Sequence, residues 1–112
     1  MVLHRVFWRA TARNPPEEVD FYSYERLGKP LLRDTPAARR RARGVSVFDS
    51  LDTARRKAAE RRLGDYIAEL HVPDDGSIGM EEGIGGHWTI YGDSEALRRC
   101  VVSVVPAVAS GE

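Results

Sequence analysis

A single cysteine, Cys100, stands in the 112-residue chain, so no disulfide can close within it, and no second Cys or dense Cys/His cluster offers a zinc framework. A reducing compartment is the expectation that follows. Long apolar runs are equally scarce. Nothing approaches the roughly 18 consecutive apolar residues of a spanning helix, so no membrane segment is expected. Residues Met1 to Ala10 interrupt their apolar members with His4, Arg5 and Arg9, which excludes the uninterrupted core of a signal peptide. Together these absences predict a cytoplasmic protein. There is also no excess of either charge, since 17 Lys+Arg balance 17 Asp+Glu. The Walker loop, the dinucleotide G-x-G-x-x-G, the H-E-x-x-H helix and the G-x-S-x-G elbow are all missing, and with them the common nucleotide, metalloprotease and hydrolase signatures.

What is there belongs to an ordinary globular chain, 42% hydrophobic and 30% charged. No repeat or low-complexity linker divides it, so residues 1–112 are expected to form a single domain with a frayed tail at 109–112. A chain of this length buries about 65% of its unfolded surface, enough to fold without a metal, disulfide or stabilising cofactor. The balanced charge is unevenly distributed. Residues 1–62 carry 15 Lys+Arg against 8 Asp+Glu, whereas residues 63–112 carry 2 against 9. Such asymmetry marks either a patch for an anionic partner or two halves that complete each other electrostatically.

Alternation in Leu3–Thr11 predicts a strand with His4, Val6, Trp8 and Ala10 on one face and Arg5, Phe7 and Arg9 on the other. Asn14-Pro15-Pro16-Glu17 reads as a helix start and Leu27-Gly28-Lys29-Pro30 as its end. Asp34-Thr35-Pro36 opens a short basic helix that stops at Gly44. Val45–Phe48 is a short strand. Asp49 or Ser50 then caps a helix from about Leu51 to Leu63, whose inner stripe of Leu51, Ala54 and Ala58 allows close packing. Tyr66–Val72, a segment within Ser77–Glu82, and His87–Tyr91 follow as strands. A short helix starts at Gly92-Asp93-Ser94-Glu95. Val101–Val105 lacks strict alternation, which predicts a central strand buried on both faces. The fold class is therefore α+β: a mainly antiparallel, curved or split sheet of five to six strands with three to four short helices.

Candidate chemistry is sparse. Gly83-Ile84-Gly85-Gly86 precedes a strand rather than a helix, so it reads as a flexible loop and not a phosphate cradle. His4, His71 and His87 are dispersed, and no metal site is expected from them. His87 stands out because it leads an aromatic strand out of a glycine loop, as either a structural or a catalytic histidine. Cys100, between Arg99 and a Val-rich strand, reads as an inert core thiol. The basic helices between Arg39 and Arg62, with Trp8, Tyr22 and Tyr24 available to stack, are material for binding nucleic acid or another protein.

Three further segments share an order: Val6-Phe7-Trp8-Arg9-Ala10-Thr11, Arg43-Gly44-Val45-Ser46-Val47-Phe48-Asp49-Ser50, and Met80-Glu81-Glu82-Gly83. An arginine on a first strand, a serine on a short strand before a helix and a late glutamate resemble the R-S-E arrangement of bacterial ADP-ribosyltransferase-like domains. The resemblance implies NAD as co-substrate, its phosphates held by Arg9 or Arg5. Ser46 would support a catalytic Glu81 or Glu82 that stabilises the cation formed as nicotinamide leaves, and a macromolecule would act as acceptor. Trp8, Trp88, His87 and Tyr91 would border the NAD pocket, with the aromatic rings available for stacking. The alternative is a non-catalytic interaction module that presents its basic helices to a protein or nucleic acid.

Overall fold

The computed structural model describes residues 2–108. The expected frayed tail at 109–112 lies outside them. Strand β1 (His4–Thr11) is followed by a 3-10 helix (Glu18–Phe21), α1 (Tyr24–Leu27), α2 (Pro36–Arg41), β2 (Val45–Phe48) and α3 (Leu51–Arg61). The chain continues through β3 (Tyr66–Pro73), β4 (Gly79–Glu82), β5 (His87–Tyr91), α4 (Ser94–Arg98) and β6 (Val101–Pro106). The six strands form one antiparallel sheet in the order β4-β5-β2-β1-β3-β6, an α+β architecture. No helix among the described residues is long and apolar enough to cross a membrane.

The sheet has a core on each face. On one side Phe7, Val45, Val47, Ala68, Leu70, Trp88 and Ile90 pack with Phe21 and with Leu97 of α4. On the other, Phe48 and Ile67 meet Ala54 and Ala58 of α3, flanked by Trp8, Ala10, Leu51 and Val105. The two alanines let the α3 backbone approach the strands closely, as their spacing on one helix face predicts. Burying Phe7 also fixes the facing of β1. Because strand side chains alternate, Arg5 and Arg9 must share the face of Phe7 while Val6, Trp8 and Ala10 take the α3 face.

Two expectations are corrected. The helix expected from Asn14 to Leu27 is broken at Tyr22-Ser23. Glu17 and Asp20 close a capping box around the 3-10 helix, and the Asp20 carboxylate also accepts from the Ala12 amide at 3.0 Å. The Asp20 carbonyl, which a continuous α-helix would offer to the Tyr24 amide, accepts instead from Arg9 Nε at 2.8 Å. Ser23 then caps α1 by accepting from the Arg26 amide. The second correction concerns Val101–Val105, which is an edge strand and not a central one. Val101 and Val104 pack on one core and Val105 on the other, which explains the missing alternation. In the plane of the sheet, however, β6 pairs among the described residues with β3 alone, and Val102 is 55% exposed.

Candidate functional site

The register between β2 and β5 pairs Phe48 with His87 and Ser46 with Thr89. Since Val45 and Val47 enter the core opposite α3, Ser46 and Phe48 project to the α3 side, and so do their partners His87 and Thr89. The β4–β5 hairpin delivers His87 from a tight turn in which Gly85 and Gly86 hold φ of 67° and 84°, a region that favours glycine. The Gly83 amide closes the hairpin by donating to the His87 carbonyl at 2.8 Å. His87 Nε2 lies 2.9 Å from Ser46 Oγ, and the ring stands edge-on to Phe48 at 5.7 Å. A side chain at Gly83 would press on the second ring nitrogen, because its Cβ would fall 3.1 Å from His87 Nδ1. The glycine keeps that nitrogen clear.

Around this histidine the C-terminal end of α2 and one face of α3 bring positive charge together. Lys57 and Arg61 are four residues apart and so share a helix face. With Arg41, Glu81, His87 and Thr89 they line a cavity of about 310 Å³, which Phe48 and Ile84 also border. Burial first, and then the positive charges of Arg61, Arg41 and Lys57, hold the His87 pKa below its usual value. Lys57 Nζ meets Glu60 at 3.5 Å, and among the described residues no ion pair involves Arg41 or Arg61. The carboxylate of Glu81 is already engaged. It accepts from Arg40 Nη2 at 2.6 Å and from the Tyr91 hydroxyl at 2.5 Å, and these partners, Arg40 first, draw its pKa down to about 2. Glu82 is exposed beside it.

The structure thus gathers Ser46, Glu81, His87 and Tyr91 on the α3 side of the sheet. It does not bring the arginines to them. Arg9 lies on the opposite face, over the Phe21 ring at 5.8 Å, and reaches Ser46 only at its backbone, where Nη1 donates to the carbonyl at 2.6 Å. Burial lowers the Arg9 pKa to about 10. Arg5 shares that face and sits over the Trp88 ring at 4.5 Å. A site in which Arg5 or Arg9 joins the Ser46 hydroxyl and Glu81 therefore does not form, because β1 alternation ties both arginines to the side of Phe7. Trp8 packs against the α3 core, and Trp88 is buried against Phe7 at 5.3 Å between ring centroids. The Trp88 ring, covered by Phe7 and Arg5, is not open to stack on a ligand, and Trp8 is half-buried.

All three cations fall within the basic helices between Arg39 and Arg62 that the sequence marks as binding material. Which strand they faced had no sequence signal. Cys100 donates its thiol to the Ala96 carbonyl at 3.4 Å, and burial raises its pKa. Among the described residues no three His, Cys, Asp or Glu side chains are grouped to hold a metal. No protein-family model, curated protein or solved structure matches this chain.

Proposed function

We propose that this protein binds a phosphate-bearing ligand of nucleotide type in the cleft between α2, α3 and the β4–β5 hairpin. The observation that carries the reading is the convergence of Arg41, Lys57 and Arg61 on the His87 cavity. Guanidinium forks match phosphate oxygens in a way few other groups do. The cavity volume of about 310 Å³ lies at the small end of ligand sites, roughly 300–1,000 Å³. Ile84, 94% exposed at the lip of the cleft, supplies apolar surface for a base. Glu81, neutralised by Arg40, opposes an anion less than a free carboxylate would.

Binding is better supported than group transfer, because Arg9 is committed to two backbone carbonyls. A transferase-like activity on NAD would have to draw its phosphate contacts from α2 and α3 and use Ser46 and Glu81 from the same cleft. Titrating ADP, NAD, inorganic phosphate and a short single-stranded RNA into isotope-labelled protein separates these possibilities. The expected result is shifts at His87, Thr89 and Ile84 that weaken steeply with salt and vanish in the double variant Lys57→Glu, Arg61→Glu. Absence of shifts with all four ligands would overturn the proposal. Free nicotinamide appearing with NAD would restore the transfer chemistry.

A further inference from the structure

From Tyr22 to Arg43 the chain has no buried residue. Neither α1 nor α2 contributes one, and polar contacts hold the segment in place. The Glu25 amide donates to the Ala42 carbonyl at 3.0 Å, Arg26 Nη1 donates to Ser94 Oγ at 3.0 Å, and Arg40 pairs with Glu81. The large apolar side chains of the segment are left uncovered. Tyr24, Leu27, Leu31 and Leu32 are all exposed, and Leu32 reaches 103%. Gly28, at φ 70°, ends α1, and Pro30 keeps the helix from resuming, so Leu31 and Leu32 stand in the loop between the two helices. Apolar side chains gathered on a folded surface mark a place where a protein or a membrane docks.

The same residues, 22–43, carry seven Lys/Arg against two Asp/Glu. Lys29 and Arg33 flank the two leucines, and among the described residues neither takes part in an ion pair. Lys29 Nζ lies over the Tyr24 ring at 5.1 Å, which ties one cation to the apolar side chains. A second copy seated on this surface would set like charges against each other. A partner protein would have to supply a pocket for leucines that no groove of this chain surrounds. An anionic bilayer meets both demands. Its headgroups attract Lys29 and Arg33, and the long stems of those side chains let the leucines pass into the acyl boundary. We propose that residues 24–33 dock this protein on an anionic lipid surface, with Leu31 and Leu32 inserted and Lys29 and Arg33 at the headgroups. The chain lies on the bilayer and does not span it.

The test is co-sedimentation with vesicles of phosphatidylcholine alone and of an equal mixture of phosphatidylcholine and phosphatidylserine. Wild-type protein is expected to sediment with the mixed vesicles only, and less as salt rises. The double variant Leu31→Ser, Leu32→Ser leaves the charge unchanged and is expected to bind about tenfold more weakly or worse. Lys29→Glu, Arg33→Glu is expected to weaken binding by roughly thirtyfold. The added fluorescence of Leu32→Trp should be quenched by lipids brominated on their acyl chains. Residues 24–33 share nothing with the His87 cleft, so excess ADP should not release the protein from the vesicles. Release by ADP would place the headgroup in the cleft and overturn the proposal. Failure to sediment with the mixed vesicles also overturns it and leaves an acidic protein as the cover of this surface. Undiminished binding in the serine variant, or absence of quenching, overturns it as well.

Discussion

His87 Nε2 lies 2.9 Å from Ser46 Oγ on the neighbouring strand, in the cavity lined by Lys57 and Arg61 of α3. Burial and three cations hold this histidine neutral below its ordinary titration range. In the unfolded chain it titrates normally, so the folded state binds fewer protons between the two pKa values. The stability it contributes is complete above the ordinary histidine value of about 6.5 and is lost as pH falls through the depressed folded pKa. An anion in the cleft reverses the local field and raises the His87 pKa. Affinity for ADP is therefore expected to climb by about tenfold as His87 protonates, the scale of one charge-assisted hydrogen bond. Calorimetry against pH should show that rise in wild-type protein and a flat profile in His87→Gln.

Glu81 distinguishes a binding cleft from a catalytic one. Arg40 and Tyr91 hold its carboxyl near a pKa of about 2, so this pair adds stability above the ordinary carboxylate range and loses it as pH falls toward that value. Because the pair is substantially exposed, Glu81→Gln is expected to cost under about 1 kcal/mol. Removing a negative charge from the cation-lined cleft should also tighten ADP binding. Weaker binding in Glu81→Gln, measured at constant salt, would contradict the role assigned to the cleft.

Arg9 is expected to matter for folding rather than for ligand. Its guanidinium satisfies the carbonyls of Asp20 and Ser46, and Arg9→Ala leaves both without that donor. Each orphaned buried acceptor costs about 1–3 kcal/mol, so a loss of several kcal/mol in a urea titration is anticipated. The folded fraction should bind ADP with wild-type affinity. A stable Arg9→Ala protein that no longer binds would instead favour the phosphate role implied by the family resemblance.

The strands and caps were legible because their signals are local. Alternation gave the two faces of β1, Thr35 and Ser50 capped their helices as their residue types suggest, and the paired alanines marked the inner stripe of α3. The order of strands was not legible. Val101–Val105 reads as central because both of its faces are covered, yet periodicity reports burial above and below a sheet and is silent on in-plane neighbours. The broken helix at Tyr22-Ser23 depends on Arg9 reaching the Asp20 carbonyl across 11 residues, an interaction no local pattern carries. The candidate site failed to follow from residue order for the same reason. Arg9 and Ser46 do come together, but through a backbone carbonyl, while their side chains serve opposite faces.

Trp88 offers a test of how completely the core on the Phe7 side is satisfied. The residue is only 9% exposed, and its indole Nε1 has no hydrogen-bond partner among the described residues. A buried donor without a partner costs about 1–3 kcal/mol, whereas the ring's contacts with Phe7 and Arg5 are apolar and cation–π in kind. Trp88→Phe removes the orphan N–H and keeps an aromatic ring beside Phe7, at the expense of buried area and a weaker cation–π contact. These terms oppose one another, so the net change in unfolding free energy is expected to lie within about 1 kcal/mol. That is well below the roughly 3–5 kcal/mol of a Trp→Ala truncation. Urea titrations of the two variants side by side give the comparison. A Trp88→Phe loss as large as that of Trp88→Ala would mean that the indole N–H is bonded in solution.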